Sequence, residues 1–240
     1  MNAQREPSPA KPLTKPLRQS VDLLGRLLGE AIERQYGRSV LETVEDLRAE
    51  ARGADDLSQL RAHVAELSLD EIVGVLRSYT AYFHLANTAE QVEITRINRR
   101  RQRGATPDEP RSESIGDGVQ HLKSAGWQAD EVAKLLERLR VEPTLTAHPT
   151  EARRRTLLDI QKRIARTLIA RQREGGSGVD EGTYVDELRR QIDLMLASDE
   201  IRPERRRVED EVDFGLYFLS NSIWDVVPRV RAELKEAVAE

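Results

Sequence analysis

Apolar residues recur at helical spacing along most of this sequence. Val21, Leu24, Leu27, Leu28 and Ile32 share one face of a helix that opens after Ser20 and stops near Gly37. Ser39 and Glu42 have the spacing of a capping box, predicting a second helix with Val40, Leu41, Val44 and Leu47 inward and Gly53 at its end. A third helix is predicted from about residue 55 to 67, carrying Leu57, Leu60 and Val64. Ser68 and Glu71 repeat the capping-box spacing and open a longer helix through Ile72, Val75, Leu76, Tyr79, Phe83 and Leu85, reaching about Arg101. Gly25 and Gly29, one turn apart, predict close approach of a neighbouring helix.

The period changes further along. After a polar stretch with Gly104, Pro107, Pro110 and Gly116 come two helices, near 117–124 and 128–140. Residues 141–148 (VEPTLTAH) are short, contain β-branched residues and are broken by prolines, which predicts a strand and its exit. A long helix follows from about Thr150 to Arg173, then a Gly-rich loop over 174–182, a helix over 183–200 and a terminal helix over 210–240. The chain thus divides into a disordered tail (1–17), a helical segment (18–101), a linker (102–116) and a second part (117–240). The fold class is mainly α with one strand. A lone strand leaves its backbone donors and acceptors unpaired, so the pattern predicts that partner strands lie outside this sequence.

Composition narrows the function classes. The 240 residues carry a net charge of −4, so no global basic field recruits nucleic acid or an anionic membrane. There is no cysteine, which excludes disulfides, thiolate metal sites and cysteine catalysis and fits a reducing cytoplasm. Residues 1–16 are polar and Pro-rich, unlike a secretory signal, and no run of about 18 apolar residues predicts a membrane span.

Of the four histidines, His63 and His121 sit in polar helical contexts, and His84 beside Phe83 and Leu85 suits a hydrogen-bonded, partly buried role. His148 differs. It ends the strand-like segment, and Pro149 restricts its backbone to extended conformations. Side chains at such strand ends point toward sites. Thr150 suits the N-cap of the next helix, whose free N–H groups and dipole favour an anion. Arg153, Arg154 and Arg155 add cations whose forks match phosphate and carboxylate. The residues describe a histidine acid/base group beside an anion-binding corner; a solvated arginine-rich turn with a loop-capping histidine is the plainer alternative.

Thr146-Ala147-His148-Pro149-Thr150-Glu151 with Arg154-Arg155-Thr156-Leu157 resembles the histidine signature of phosphoenolpyruvate carboxylases. Three further stretches agree in order: Leu85 to Gln91, Ser198 to Arg202, and Asp210-Glu211 with Asn221-Ser222-Ile223-Trp224 through Val227-Pro228. The resemblance runs from about Ser20 to Glu240. It implies the N-terminal helical part and first strand of an α-rich α/β (TIM-like) barrel, with 117–240 as the start of that barrel. It implies carboxylation of phosphoenolpyruvate by bicarbonate to oxaloacetate and phosphate, using Mg²⁺ or Mn²⁺, in a cytoplasmic homo-oligomer that is tetrameric in the family. His148 matches the histidine thought to take the carboxyphosphate proton. Arg154, Arg155 and Arg202 match positions that help form a sugar-phosphate activator site in plant members. Trp224 matches no substrate-contacting tryptophan and is expected in the core.

The departures matter as much. The family's Gly-Gly-Asp-Arg-Asp-Gly motif, metal-binding carboxylates, later phosphate-holding arginines, mobile glycine-rich loop and aspartate-inhibition site have no match in this sequence, so the chain by itself is expected to be nearly inactive. Leu196-Ala197 stands where many members have Trp-His, which bears on local packing. Two other classes are distinguishable. A non-catalytic helical binding or scaffold module would be indifferent to His148. A histidine phosphotransfer domain would place the histidine mid-helix, which Pro149 opposes.

Overall fold

The computed structural model describes residues 13–53, 57–106, 108–142, 154–174, 180–199 and 207–239. The chain is mainly α, and among the described residues there is no strand. The strand expected over 141–148 lies outside the described residues from 143 onward; Val141 and Glu142 are non-helical and unpaired with any strand. Two compact units interleave in sequence: unit 1 takes residues 1–95 and 153–201, unit 2 residues 96–152 and 202–240.

Unit 1 is built on α1 (Lys15–Tyr36), α2 (Arg38–Gly53), α3 (Ser58–Glu66), the first part of α4 (Leu69–Gly104), α7 (Arg155–Arg173) and α8 (Asp180–Ala197). Its core is one cluster drawn from five of these helices. Leu24, Leu27 and Ile32 of α1 and Val40 and Leu47 of α2 meet Leu85 of α4, Ile164 and Leu168 of α7 and Leu188 and Ile192 of α8. α8 packs against both α1 and α7. Arg189 pairs with Glu30 at 3.2 Å and Arg34 with Asp193 at 2.8 Å, fastening α8 to α1 at the solvent edge. Such exposed pairs contribute about 0–1 kcal/mol each, so the apolar cluster dominates.

α1 begins at Lys15, earlier than the predicted start after Ser20, because Thr14 caps it through its hydroxyl and Pro16 suits the first turn. Residues 15–17 therefore belong to the helix rather than to a disordered tail. α1 ends as predicted at Gly37, whose φ of 89° favours glycine. The Ser39–Glu42 capping box does not form. The Gly37 carbonyl already accepts from Leu41 N–H, α2 starts at Arg38, and Glu42 is taken by the Arg38 guanidinium at 3.0 Å. Ser68–Glu71 does form one: Ser68 N–H donates to the Glu71 carboxylate at 2.9 Å and Glu71 N–H to Ser68 Oγ at 3.3 Å.

The Ser68 hydroxyl, and then its backbone N–H, hold the Glu71 carboxyl below its ordinary pKa. The folded state therefore binds fewer protons there than the unfolded one. That contribution is present above the unfolded carboxyl pKa, roughly 4.3, and is lost as pH falls through the lower folded value. Ser68→Ala is expected to lower the urea midpoint at pH 7, with the gap from wild type narrowing below about pH 4. A gap that widens on acidification would contradict this origin.

The predicted close approach at Gly25 and Gly29 is not where the helices meet. A Cβ at Gly25 has nothing within 4 Å, and one at Gly29 makes ordinary contact with Leu41 at 3.7 Å. The close approach is at Gly74, where a Cβ would lie 2.9 Å from Val40 Cγ1. Val40 is buried and β-branched, so it yields poorly. Gly74→Ala gains about 1 kcal/mol of helix propensity but incurs about 1–3 kcal/mol of overpacking. The expected net is a lower urea midpoint; a raised one would show that Val40 repacks freely.

Two expected core residues of α4 are instead exposed, Leu76 at 61% and Phe83 at 60%. α3 buries no residue; Leu60 and Val64 line an open apolar groove of about 330 Å³ with Leu47, Ile72, Val75 and Tyr79. Of Leu196-Ala197, the pair that departs from the resembled pattern, Leu196 is 2% exposed and Ala197 is exposed.

Unit 2 holds the end of α4, α5 (Ile115–Ser124), α6 (Ala129–Arg138), α9 (Val208–Phe218) and α10 (Trp224–Ala239), the last two joined by a π-turn over Leu219–Ile223. α10 packs on α5. Trp224, expected in the core, is 78% exposed.

Candidate functional site

α7 fixes the position of the arginines. The predicted start at Thr150 lies outside the described residues, but the helix itself begins only at Arg155. Arg154 is its N-cap, in extended conformation (φ −70°, ψ 138°) and without a side-chain cap hydrogen bond. No acidic residue lies in the first turn. Cations at a helix N-terminus oppose the macrodipole by about 0.3–1 kcal/mol each, so this is an electropositive helix start.

One carboxylate meets that corner. Asp199, two residues beyond the end of α8, accepts from Arg77 Nη2 at 2.6 Å and lies 3.6 Å from Arg154 Nη2. Arg77 reaches it from α4. Its guanidinium is held above its ordinary pKa, first by the Asp199 hydrogen bond and next by that of the Tyr36 hydroxyl. Two permanent cations thus share one anion, leaving the trio one positive charge in excess. Arg154 Nε is buried and has no hydrogen-bond partner among the described residues. Arg155 is exposed on the first turn.

Beside the trio, an open cavity of about 180 Å³ is lined by Arg77, Thr80, Ala81, His84, Leu157 and Ser198, among others. His84 is half-buried there, as its setting in the sequence predicted. His63 pairs with Glu50 at 3.0 Å, and His121 Nδ1 lies 2.8 Å from the Asp117 carbonyl, both on helix surfaces.

His148 and Arg202, the candidate catalytic histidine and the third candidate anion ligand, lie outside the described residues. Of the four sequence candidates, the structure therefore places Arg154 and Arg155, at the head of α7. Sequence reasoning missed Arg77 and the role of Asp199. Asp199 stood inside a recognised stretch, but its partner is 122 residues away and carries no local signature.

A family model described as phosphoenolpyruvate carboxylase matches residues 17–240, a stretch that contains His148, Arg154, Arg155 and Arg202. The chain belongs to the phosphoenolpyruvate carboxylase family. It is 43% identical over 232 residues to the phosphoenolpyruvate carboxylase of Rhodothermus marinus, covering 94% of this chain and 25% of that protein. The Thermus thermophilus phosphoenolpyruvate carboxylase is 39% identical over 227 residues (92% and 25%), and that of Roseiflexus castenholzii 34% over 225 residues (91% and 24%). The chain spans about a quarter of the length of the curated relatives it matches.

Phosphoenolpyruvate carboxylase chemistry implies a divalent metal. Among the described residues no group of three or more His, Cys, Asp or Glu side chains is arranged to hold one. The carboxylate at the corner, Asp199, is already engaged by two arginines. The described residues do not fit a metal centre. No helix among the described residues is long and apolar enough to cross a membrane.

Proposed function

We propose that this chain is the N-terminal part of a phosphoenolpyruvate carboxylase, and that His148 is its acid/base group. The reaction joins phosphoenolpyruvate and bicarbonate to give oxaloacetate and inorganic phosphate. Bicarbonate oxygen attacks phosphorus, the bond between phosphorus and the enol oxygen breaks, and carboxyphosphate forms beside pyruvate enolate, which keeps that oxygen. The His148 imidazole takes the carboxyphosphate proton. Carbon dioxide and phosphate separate, and the enolate carbon attacks the carbon dioxide. Imidazole suits this step because its pKa lies near working pH.

The observation that carries the reading is the family match over residues 17–240, a range that contains His148. The electropositive head of α7, six residues beyond the histidine, supports it as a place where anions are favoured. On the same reading, Arg154 and Arg155 with Arg202 bind a phosphorylated effector. An anion there competes with Asp199 for Arg154. The assembled protein on this reading is a cytoplasmic homo-oligomer, and Mg²⁺ or Mn²⁺ is held by residues beyond these 240.

A chimera tests it. This chain replaces the matched segment of the Rhodothermus marinus enzyme, and oxaloacetate formation is followed with Mg²⁺ and bicarbonate. Turnover by the chimera, with none above background from the 240-residue chain alone, is expected. Full-length rates from the chain alone overturn the reading. A chimera indifferent to His148→Asn overturns the role of the histidine and favours the binding-module alternative.

A further inference from the structure

Three charged side chains of unit 1 meet at one corner, and the two contacts that join them are unequal. Asp199 Oδ1 accepts from Arg77 Nη2 at 2.6 Å, a short charge-assisted hydrogen bond. The other oxygen, Oδ2, faces Arg154 Nη2 at 3.6 Å, an ion pair beyond hydrogen-bond reach. Arg77 is itself braced, because the Tyr36 hydroxyl at the end of α1 hydrogen-bonds its guanidinium. Asp199 is therefore fastened by Arg77 and only attracted by Arg154.

That inequality decides which contact gives way. Arg154 is the N-cap of α7, where the helix dipole favours an anion and the first turn supplies no acidic residue. Its Nε is buried and has no hydrogen-bond partner among the described residues, while about a third of the side chain (34%) remains in solvent. A phosphate or carboxylate that draws the guanidinium round takes Nε and Nη2 together, a fork geometry that one carboxylate oxygen at 3.6 Å does not use. When Arg154 turns to such an anion, Asp199 keeps Arg77, so no carboxylate is stranded. Arg34–Asp193 lacks that property: it pairs one cation with one carboxylate, and an anion drawing Arg34 away would leave Asp193 without its cation.

We propose that Asp199 is a tethered competitor for the anion site at the head of α7. It holds Arg154 in the absence of ligand and yields it to a phosphorylated one, and Arg77 retains the displaced carboxylate. The inference rests on the effector reading above and adds the residue that sets the threshold for binding. A tethered carboxylate competes at an effective concentration on the order of millimolar. The apparent affinity of the ligand falls in proportion to the fraction of molecules in which Arg154 is free to turn. A contact this exposed is weak, so the threshold moves several-fold and the site is not closed.

Inorganic phosphate is the probe, titrated calorimetrically into the 240-residue chain at fixed ionic strength. Asp199→Asn is expected to tighten phosphate binding about three- to tenfold. Asp199 is 55% exposed and lies past the end of α8, so this variant is expected to keep wild-type helicity by circular dichroism. Asp193→Asn removes the same charge six residues earlier and is expected to change the affinity by under about 1.5-fold, which separates local competition from the general field. Arg154→Gln on the Asp199→Asn background is expected to abolish the gain. Arg77→Gln gives a second reading: the carboxylate freed from Arg77 moves onto Arg154, and phosphate binding weakens. Equal effects of Asp199→Asn and Asp193→Asn, a gain that survives Arg154→Gln, or tighter binding in Arg77→Gln overturns the proposal. So does an Asp199→Asn chain that binds no phosphate. Each of these results leaves the family reading standing, since turnover of the chimera tests that separately.

Discussion

Asparagine in place of His148 is expected to lower kcat of the chimera by a factor on the order of 10²–10⁴, the range of a positioned acid/base group. Asparagine keeps a polar side chain of similar reach but cannot exchange a proton near neutral pH. The loss belongs to the step in which the carboxyphosphate proton leaves. Neither phosphoenolpyruvate binding nor bicarbonate binding requires that proton to move. KM for phosphoenolpyruvate should therefore change little while kcat and kcat/KM fall together, the signature of an interaction made only in the transition state. The pH profile separates this from structural damage. With histidine, the rate falls on the acid side as the imidazole becomes charged and loses its acceptor. With asparagine, the residual rate loses that limb. A variant whose kcat drops but whose acid limb persists would show that another group takes the proton.

How much of this was legible depended on whether the relevant physics is local. The Ser68–Glu71 box was readable because both partners sit within one turn and nothing competes for them. Ser39–Glu42 has identical spacing and failed, since Gly37 already closed one helix and opened the next, and Arg38 claimed the carboxylate. The inward stripes of α1 and α2 followed from periodicity alone. Gly74 was invisible because its role depends on Val40, a residue of another helix. The same holds for the corner. Arg154 and Arg155 stood in a motif, whereas Arg77 and Asp199 become partners only once α4 and the end of α8 are brought together. Trp224 shows the opposite error: an apolar residue in a recognised stretch was assigned to a core that, in these 240 residues, does not cover it.

Leu188→Ala is expected to produce the largest loss of stability, about 2–5 kcal/mol. Leu188 is fully buried on α8, the helix that packs on both α1 and α7. Truncation removes its transfer free energy and leaves a cavity among helices held by the neighbouring Ile192, Met195 and Leu196, which limits collapse. Against a typical total of about 5–15 kcal/mol, that is a large share. Leu194 on the same helix is 51% exposed, and Leu194→Ala should fall within about 0.5 kcal/mol of wild type. Urea unfolding followed by far-ultraviolet circular dichroism reads both; equal midpoints for the two variants would show that α8 does not hold the core. The loss reaches beyond the core. α8 ends at Ala197, and Asp199 follows after one residue, so the packing of α8 sets where that carboxylate stands. With α8 loosened, Arg77 and Arg154 lose a fixed common anion. Burial at residue 188 and electrostatics at residue 199 are thus two ends of one structural element.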